Sequence, residues 1–229
     1  MDWLRRLAGC LAVCFALVGG EAVADDPFAA GVRPTDALTP EEELKAFRVP
    51  PDFRMELFAA EPQINKPLNM AFDARGRLWV TSTVEYPYAA PADRAARDSV
   101  RILEDTDGDG RADRVTVFAD GLNIPMGVYP YRDGAIVFSI PNIYYLADTD
   151  DDGRADQRTL LYGPFGFDRD MHGLNNAFRR GYDGWVYACH GFNNESKVTA
   201  PDGSQVHMVS GNVYRFRADG SHIELFMRG

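Results

Sequence analysis

From residue 53 onward the chain alternates short apolar runs with turns rich in Gly and Asp, and the alternation repeats. Asn69-Met-Ala-Phe-Asp-Ala-Arg-Gly76 leads into Arg77-Leu-Trp-Val-Thr81. Met126-Gly-Val-Tyr-Pro-Tyr-Arg-Asp-Gly134 leads into Ala135-Ile-Val-Phe138, and Asn175-Asn-Ala-Phe-Arg-Arg-Gly-Tyr-Asp-Gly184 leads into Trp185-Val-Tyr187. An apolar stretch, a turn closed by Gly and a second apolar stretch predict a β-hairpin. Each hairpin is followed by a second strand pair: Val100–Leu103 with Val115–Phe118, Ile143–Leu146 with Thr159–Tyr162, and Val213–Phe216 with Ile223–Phe226. Four antiparallel strands recurring about every fifty residues are the signature of propeller blades. The expected fold is therefore all-β, a β-propeller over residues 52–229 with three four-stranded blades at 67–122, 123–166 and 170–229. Ala135 to Ile140 and Trp185 to Cys189 are nearly unbroken apolar runs, which predicts inner strands covered on both faces. Met55-Glu-Leu-Phe58 reads like a fourth strand without its first three, so residues 53–60 are expected to form a strand that closes a ring onto a last blade. Three blades do not close a ring, since propellers have about four to eight; the expectation is the front part of a longer propeller.

Two segments precede the repeats. Residues 1–24 read as a secretory signal, with Arg5 and Arg6 ahead of the apolar stretch Leu7 to Val18 and a small-x-small site at Ala22-Val23-Ala24. The apolar run is too short to span a bilayer, so the mature chain is expected to be exported, periplasmic or extracellular, with no transmembrane span. Residues 25–51 read as a linker with one short helix. In it Thr39 is the cap, Pro40 lies in the first turn, Glu41 to Glu43 sit at the positive end of the dipole, and Pro50-Pro51 is the stop. Of the three cysteines, Cys10 and Cys14 fall in the leader, which leaves Cys189 as a lone thiol and excludes a disulfide framework. The net charge of −10 argues against a nucleic-acid partner, which would need a basic face.

Much of that charge is local. Asp105-Thr-Asp107-Gly-Asp109-Gly110-Arg-Ala-Asp113 and Asp148-Thr-Asp150-Asp-Asp152-Gly153-Arg-Ala-Asp156 have acids at positions 1, 3, 5 and 9 of a calcium loop and Gly at position 6 for the sharp turn. Position 12, where a bidentate Glu belongs, is Thr116 or Thr159. The flanks are strands, so neither loop is an EF-hand. Each is read as a calcium-type loop with an incomplete ligand set, the alternative being a solvated acidic turn.

Asn123-Ile-Pro-Met-Gly127, the two acidic loops, and His172-Gly-Leu-Asn-Asn-Ala-Phe178 followed by Tyr182-Asp-Gly-Trp-Val-Tyr187 carry a resemblance. Together they resemble the N-terminal propeller of planctomycete and verrucomicrobial secreted proteins described as membrane-bound dehydrogenases. That group is similar in turn to the soluble quinoprotein glucose and sorbosone dehydrogenases, which are six-bladed propellers. The resemblance implies a six-bladed ring, pyrroloquinoline quinone as cofactor, a sugar or related alcohol as substrate, and a cytochrome c-type electron acceptor. His172, Gly181, Asp183 and Gly184 follow the quinoprotein layout of a His and a later Gly-Pro-Asp-Gly, with Tyr182 in place of Pro; the resemblance places the general base on His172.

Strand order adds a separate expectation. With four antiparallel strands per blade, the loops before the first strand and after the second share one face, and the remaining loops share the other. His172, Glu85, Tyr86, His190, Asn193 and Asn194 should all lie on the first face, which makes Glu85, Tyr86, His190 and Asn193 candidates for a cofactor pocket. Both acidic loops belong to the opposite face, where calcium would be structural. Two functions fit: an exported quinoprotein-like dehydrogenase, or a non-catalytic propeller that binds a glycan or a partner protein and carries structural calcium loops.

Overall fold

A computed structural model describes residues 36–229. The leader expected at residues 1–24 and the first part of the linker lie outside the described residues. The one helix among the described residues, α1 (Pro40–Ala46), follows from its first residues: Thr39 Oγ1 accepts from Glu42 N at 3.2 Å, and Glu42 Oε2 accepts from Thr39 N at 2.9 Å. This reciprocal cap holds a helix that buries none of its residues. No helix among the described residues is long and apolar enough to cross a membrane.

Everything else that is regular is antiparallel β-structure. Sheet 1 is β1 (Pro67–Phe72), β2 (Leu78–Ser82), β3 (Asp98–Glu104) and β4 (Arg114–Leu122), in that order. Sheet 2 repeats the plan with β5 (Gly127–Tyr131), β6 (Gly134–Ser139), β7 (Asn142–Ala147) and β8 (Gln157–Tyr162). Sheet 3 is β9 (Asn176–Arg180), β10 (Val186–His190), β13 (Asn212–Phe216) and β14 (Ile223–Arg228). Each of the three predicted repeats is thus one four-stranded sheet with the predicted pairs in place: Val80 faces Met70, Val137 faces Val128, and Tyr187 faces Arg179.

Between β10 and β13 lies a two-stranded hairpin that the repeat reading left as a long loop, β11 (Ser196–Thr199) with β12 (Gln205–Met208). Its signal is in the sequence: Ser196, Val198, Val206 and Met208 are buried, the residues between them are exposed, and Pro201-Asp202-Gly203 makes the turn.

The sheets stack face to face, and apolar side chains fill the gaps. Trp79, Ile102 and Phe118 of sheet 1 meet Val128, Ala135 and Val137 of sheet 2. Ile136, Phe138 and Tyr162 of sheet 2 meet Val186, Tyr214 and Phe216 of sheet 3, and Val198, Val206 and Met208 of the hairpin join them. β6 is buried along its whole length, as an inner strand between two sheets should be. β10 is not: Val186, Ala188 and His190 are buried while Tyr187 and Cys189 are half-buried. Its outward face has no sheet over it among the described residues. Arg215 covers it instead, 4.5 Å from the Trp185 ring and 5.5 Å from that of Phe226.

Residues 53–60 carry no strand, against expectation. A strand needs a ladder partner, and this segment has none among the described residues; it is tied down where Ala112 N donates to Phe58 O at 2.9 Å, and Ala60 O accepts from Gln63 N at 2.8 Å in the turn that follows. Phe58, Ala59 and Ile64 then cover Leu78, Val80 and Leu103 on the back of sheet 1. Phe53 and Met55, ahead of that tie, are exposed.

Phe138 is fully buried and packs edge-on against Phe165 at 6.2 Å between ring centres, whereas Phe226 is 55% exposed. Phe138→Ala is expected to lower unfolding free energy in denaturant by about 3–5 kcal/mol. Phe226→Ala is expected to cost less than about 1 kcal/mol.

Candidate functional site

The antiparallel order places the β2–β3 and β10–β11 loops and the segment leading into β9 at one end of the sheets, and the structure joins them there. The Tyr86 hydroxyl bonds His172 Nδ1, with the two rings edge-on at 5.5 Å. Tyr86 comes from the loop after β2 and His172 from the segment before β9, so the bond spans from sheet 1 to sheet 3.

Both partners are held from behind. Thr83 Oγ1 accepts from Tyr86 N at 3.0 Å and donates to buried Asp98 Oδ2 at 2.7 Å. On the other side His172 N donates to Asp170 Oδ1 at 2.7 Å, and Asn193 Nδ2 donates to Asp170 Oδ2 at 3.2 Å. The His172 backbone bond is the chief reason that the Asp170 carboxyl titrates below its usual range. Asn194, fully buried, accepts from Arg169 N and Asp170 N and donates to Asp170 O and Gly173 O. Gly173 and Gly191 cross so closely that a Cβ on Gly191 would stand 2.4 Å from Gly173 Cα. The His172 segment is therefore clamped against the 190–194 loop, while the His172 ring itself stays exposed.

The remaining candidates of this face serve structure. His190 is buried, with Nδ1 on Ser210 O at 3.1 Å and Nε2 on Ser196 Oγ at 2.8 Å. Burial pushes its pKa down. With both ring nitrogens engaged, it joins β10 to the hairpin and to the chain entering β13. Glu85 is also buried and is engaged by two arginines. Arg94 grips it with two bonds of 2.7 and 2.6 Å, and Arg97 adds N and Nε contacts at 3.1 and 3.2 Å. Sequence reasoning passed over Asp98 and Asp170. Their signals are weak, a single Asp opening an apolar strand and a single Asp two residues ahead of a His.

At the opposite end each acidic loop gathers three carboxylates. One oxygen each from Asp105, Asp107 and Asp109, and likewise from Asp148, Asp150 and Asp152, lie within 4.8 Å of one another. Asp113 and Asp156 are not in these groups. Asp113 bonds Thr106 N and Oγ1 at 2.9 and 2.7 Å, and Asp156 Oδ2 accepts from Thr149 Oγ1 at 2.7 Å, so both close the base of their loop. Asp105 accepts N–H bonds from Gly108, Asp109 and Gly110 and titrates below the usual range, the Gly110 bond contributing most. Asp150 lies above it, first because Asp152 is beside it.

The Arg94 bond is the main cause that brings Glu85 from 4.5 to about 2. A depressed carboxyl stabilises the fold fully above its unfolded pKa, and that contribution fades as pH falls through the folded value. Wild type should therefore melt above Glu85→Gln at neutral pH, with the gap starting to close below pH 4.5 and vanishing near 2. A gap independent of pH across that window would show that the ion pair is not the source.

No curated protein matches the chain. The family described as "Domain of unknown function (DUF7133)" matches residues 39–229, which take in α1, all three four-stranded sheets and both acidic loops, and the chain belongs to that family.

Proposed function

We propose that the three sheets are successive blades of a β-propeller, and that the His172 face is a quinoprotein-like dehydrogenase site for a sugar or related alcohol. Repetition of one interface supports the blade reading. Trp79 and Phe118 of sheet 1 form an edge-on pair at 4.6 Å beneath sheet 2, and Ala155 N of the second acidic loop donates to Phe118 O at 2.7 Å. Ala112 N of the first loop makes the same bond to Phe58 O. In sheet 3 the Tyr187–Phe226 pair, edge-on at 5.0 Å, stands where Trp79 and Phe118 stand in sheet 1.

The catalytic reading rests on the Tyr86–His172 bond. It fixes the imidazole through Nδ1, and no described residue bonds Nε2. A neutral ring that carries its hydrogen on Nδ1 and donates it to Tyr86 Oη presents Nε2 as a proton acceptor. Oxidation of an alcohol requires its hydroxyl proton to leave as hydride leaves carbon; His172 Nε2 takes that proton. A quinone would supply the hydride acceptor when bound. The described residues do not form a full cradle for the carboxylates of pyrroloquinoline quinone. Arg94 and Arg97 are bonded to Glu85 and Arg169 to Glu195, while Lys66 Nζ rests on Tyr86 O at 3.0 Å. This chain contributes the base and its support.

With quinone and calcium supplied, the protein is expected to reduce an artificial dye in the presence of aldoses. His172→Ala should lower kcat by about 100-fold or more. Dye reduction that survives His172→Ala unchanged removes the assignment, and quinone-independent glycan binding would favour a non-catalytic propeller.

Calcium in the two acidic loops is part of the same proposal. Its support is the close approach of three carboxylates in each loop and the raised Asp150 carboxyl, crowding that a divalent cation relieves. Calcium at about 100 times its Kd should stabilise the fold by about 2.7 kcal/mol. A chelator is expected to lower Tm and added calcium to restore it, with the response halved or lost in Asp148→Asn/Asp152→Asn. A Tm indifferent to both additions would leave the loops as acidic turns.

A further inference from the structure

The end of the sheets opposite His172 holds a cleft of about 820 Å³ between sheets 1 and 2. That volume lies within the range of small-molecule sites. Each four-stranded sheet sends an arginine to this cleft from the region of its first hairpin: Arg75 from the β1–β2 turn, Arg132 from the β5–β6 turn, and Arg180 from the end of β9.

The charges in the cleft are sorted. Asp73 is bonded by Arg77 Nε at 2.7 Å and Trp79 Nε1 at 3.0 Å, Glu104 is 3.6 Å from Arg114, and Asp133 accepts from the Tyr145 hydroxyl. These three carboxylates are engaged. The guanidinium groups of Arg75, Arg132 and Arg180 pair with no carboxylate among the described residues; Arg132 lies over the Tyr131 ring at 4.9 Å. The three are exposed, in a chain whose net charge is −10. Asp148, Asp151 and Asp152 of the second acidic loop also line the cleft, and Asp148 N donates to Asp133 O beside Arg132 at 3.1 Å. The N–H bonds that Asp148 and Asp152 accept leave oxygen lone pairs free.

A ligand for this cleft has to offer an oxyanion to the guanidinium groups and hydroxyl donors to the loop carboxylates. An anion alone would be repelled by the acidic loop, and a neutral polyol would leave three guanidinium groups unused. We propose that the cleft binds an acidic saccharide of the uronate class. Its planar carboxylates match the guanidinium fork, and its hydroxyls donate to the loop carboxylates. This site is on the face opposite His172 and does not depend on the dehydrogenase reading; it uses Asp148 and Asp152 free of calcium, so the titration below is made in chelator.

Calorimetric titration of the full chain with a galacturonate trimer, a neutral galactose trimer and inorganic phosphate tests the proposal. The uronate is expected to bind, and more weakly as salt rises. Arg75→Gln, Arg132→Gln and Arg180→Gln together should weaken it by about tenfold or more. All three side chains are exposed, so a melting curve matching wild type will show the variant folded. Equal binding of the neutral trimer, or unchanged affinity in the triple variant, overturns the proposal. Phosphate binding as tight as the uronate overturns the saccharide assignment. His172→Ala is expected to keep uronate binding while dye reduction is lost; loss of uronate binding in that variant would overturn the placement in this cleft.

Discussion

Asp98 is 1% exposed, and a buried carboxylate is tolerable only when its oxygens are bonded. Oδ2 accepts from the Thr83 hydroxyl at 2.7 Å and from Ile124 N at 2.8 Å, and Oδ1 accepts from Val84 N at 2.7 Å and Glu85 N at 3.0 Å. These four bonds decide the path of the chain at the His172 end. They turn the β2–β3 loop so that Tyr86 reaches His172, and they anchor the link from sheet 1 to sheet 2 at Ile124. Ile124 has φ of +47°, which is costly for a β-branched residue, yet its side chain is wholly buried. The bond to Asp98 and the apolar surroundings together hold it there. One carboxylate therefore sets both how sheet 2 departs from sheet 1 and where His172 meets Tyr86.

A second constraint couples sheet to sheet at the other end. Each acidic loop is shaped by its own backbone bonds, with Gly110 and Gly153 both at φ +87° where a side chain would be strained. The Ala that follows, at 112 or 155, is then delivered to a carbonyl of the preceding segment, Phe58 or Phe118. The Arg-Ala-Asp ending of the loops thus has a physical meaning. Ala112 is small enough to be buried in the contact, and the next Asp returns to the Thr near the loop start to close the base. The second acidic loop thus ties sheet 2 to sheet 1, and the first ties sheet 1 to the segment around Phe58; a cation would stiffen a geometry already built.

The strands and their pairing were legible because each repeat places a Gly turn between apolar runs of opposite polarity patterns, and local periodicity reports local structure well. The shared face of Tyr86 and His172 was legible for the same reason, since it follows from strand order alone. What could not be read was which polar groups of that face are spent on structure. Glu85 and His190 look like pocket residues in one dimension, but Arg94 nine positions on and Ser210 twenty positions on consume them. Asp113 likewise occupies a ligand position by spacing, while Thr106 takes its oxygens. Residues 53–60 spell a strand, but a ladder partner is a tertiary fact that the segment's own composition does not carry.

The antiparallel plan separates the two sets of chemistry completely. Loops that carry His172, Tyr86 and Asp170 emerge at one end of every sheet, and loops that carry the acidic triplets and the three arginines emerge at the other, because successive strands reverse direction. A cation at Asp148, Asp150 and Asp152 would lie at the other end of the strands from the imidazole, away from anything that His172 touches. The same separation means that occupancy of the arginine cleft reaches His172 only through the sheets themselves. Since β6 is buried throughout and Asp98 pins the loop beside Tyr86, that path is stiff, and the two ends are expected to respond to their ligands independently.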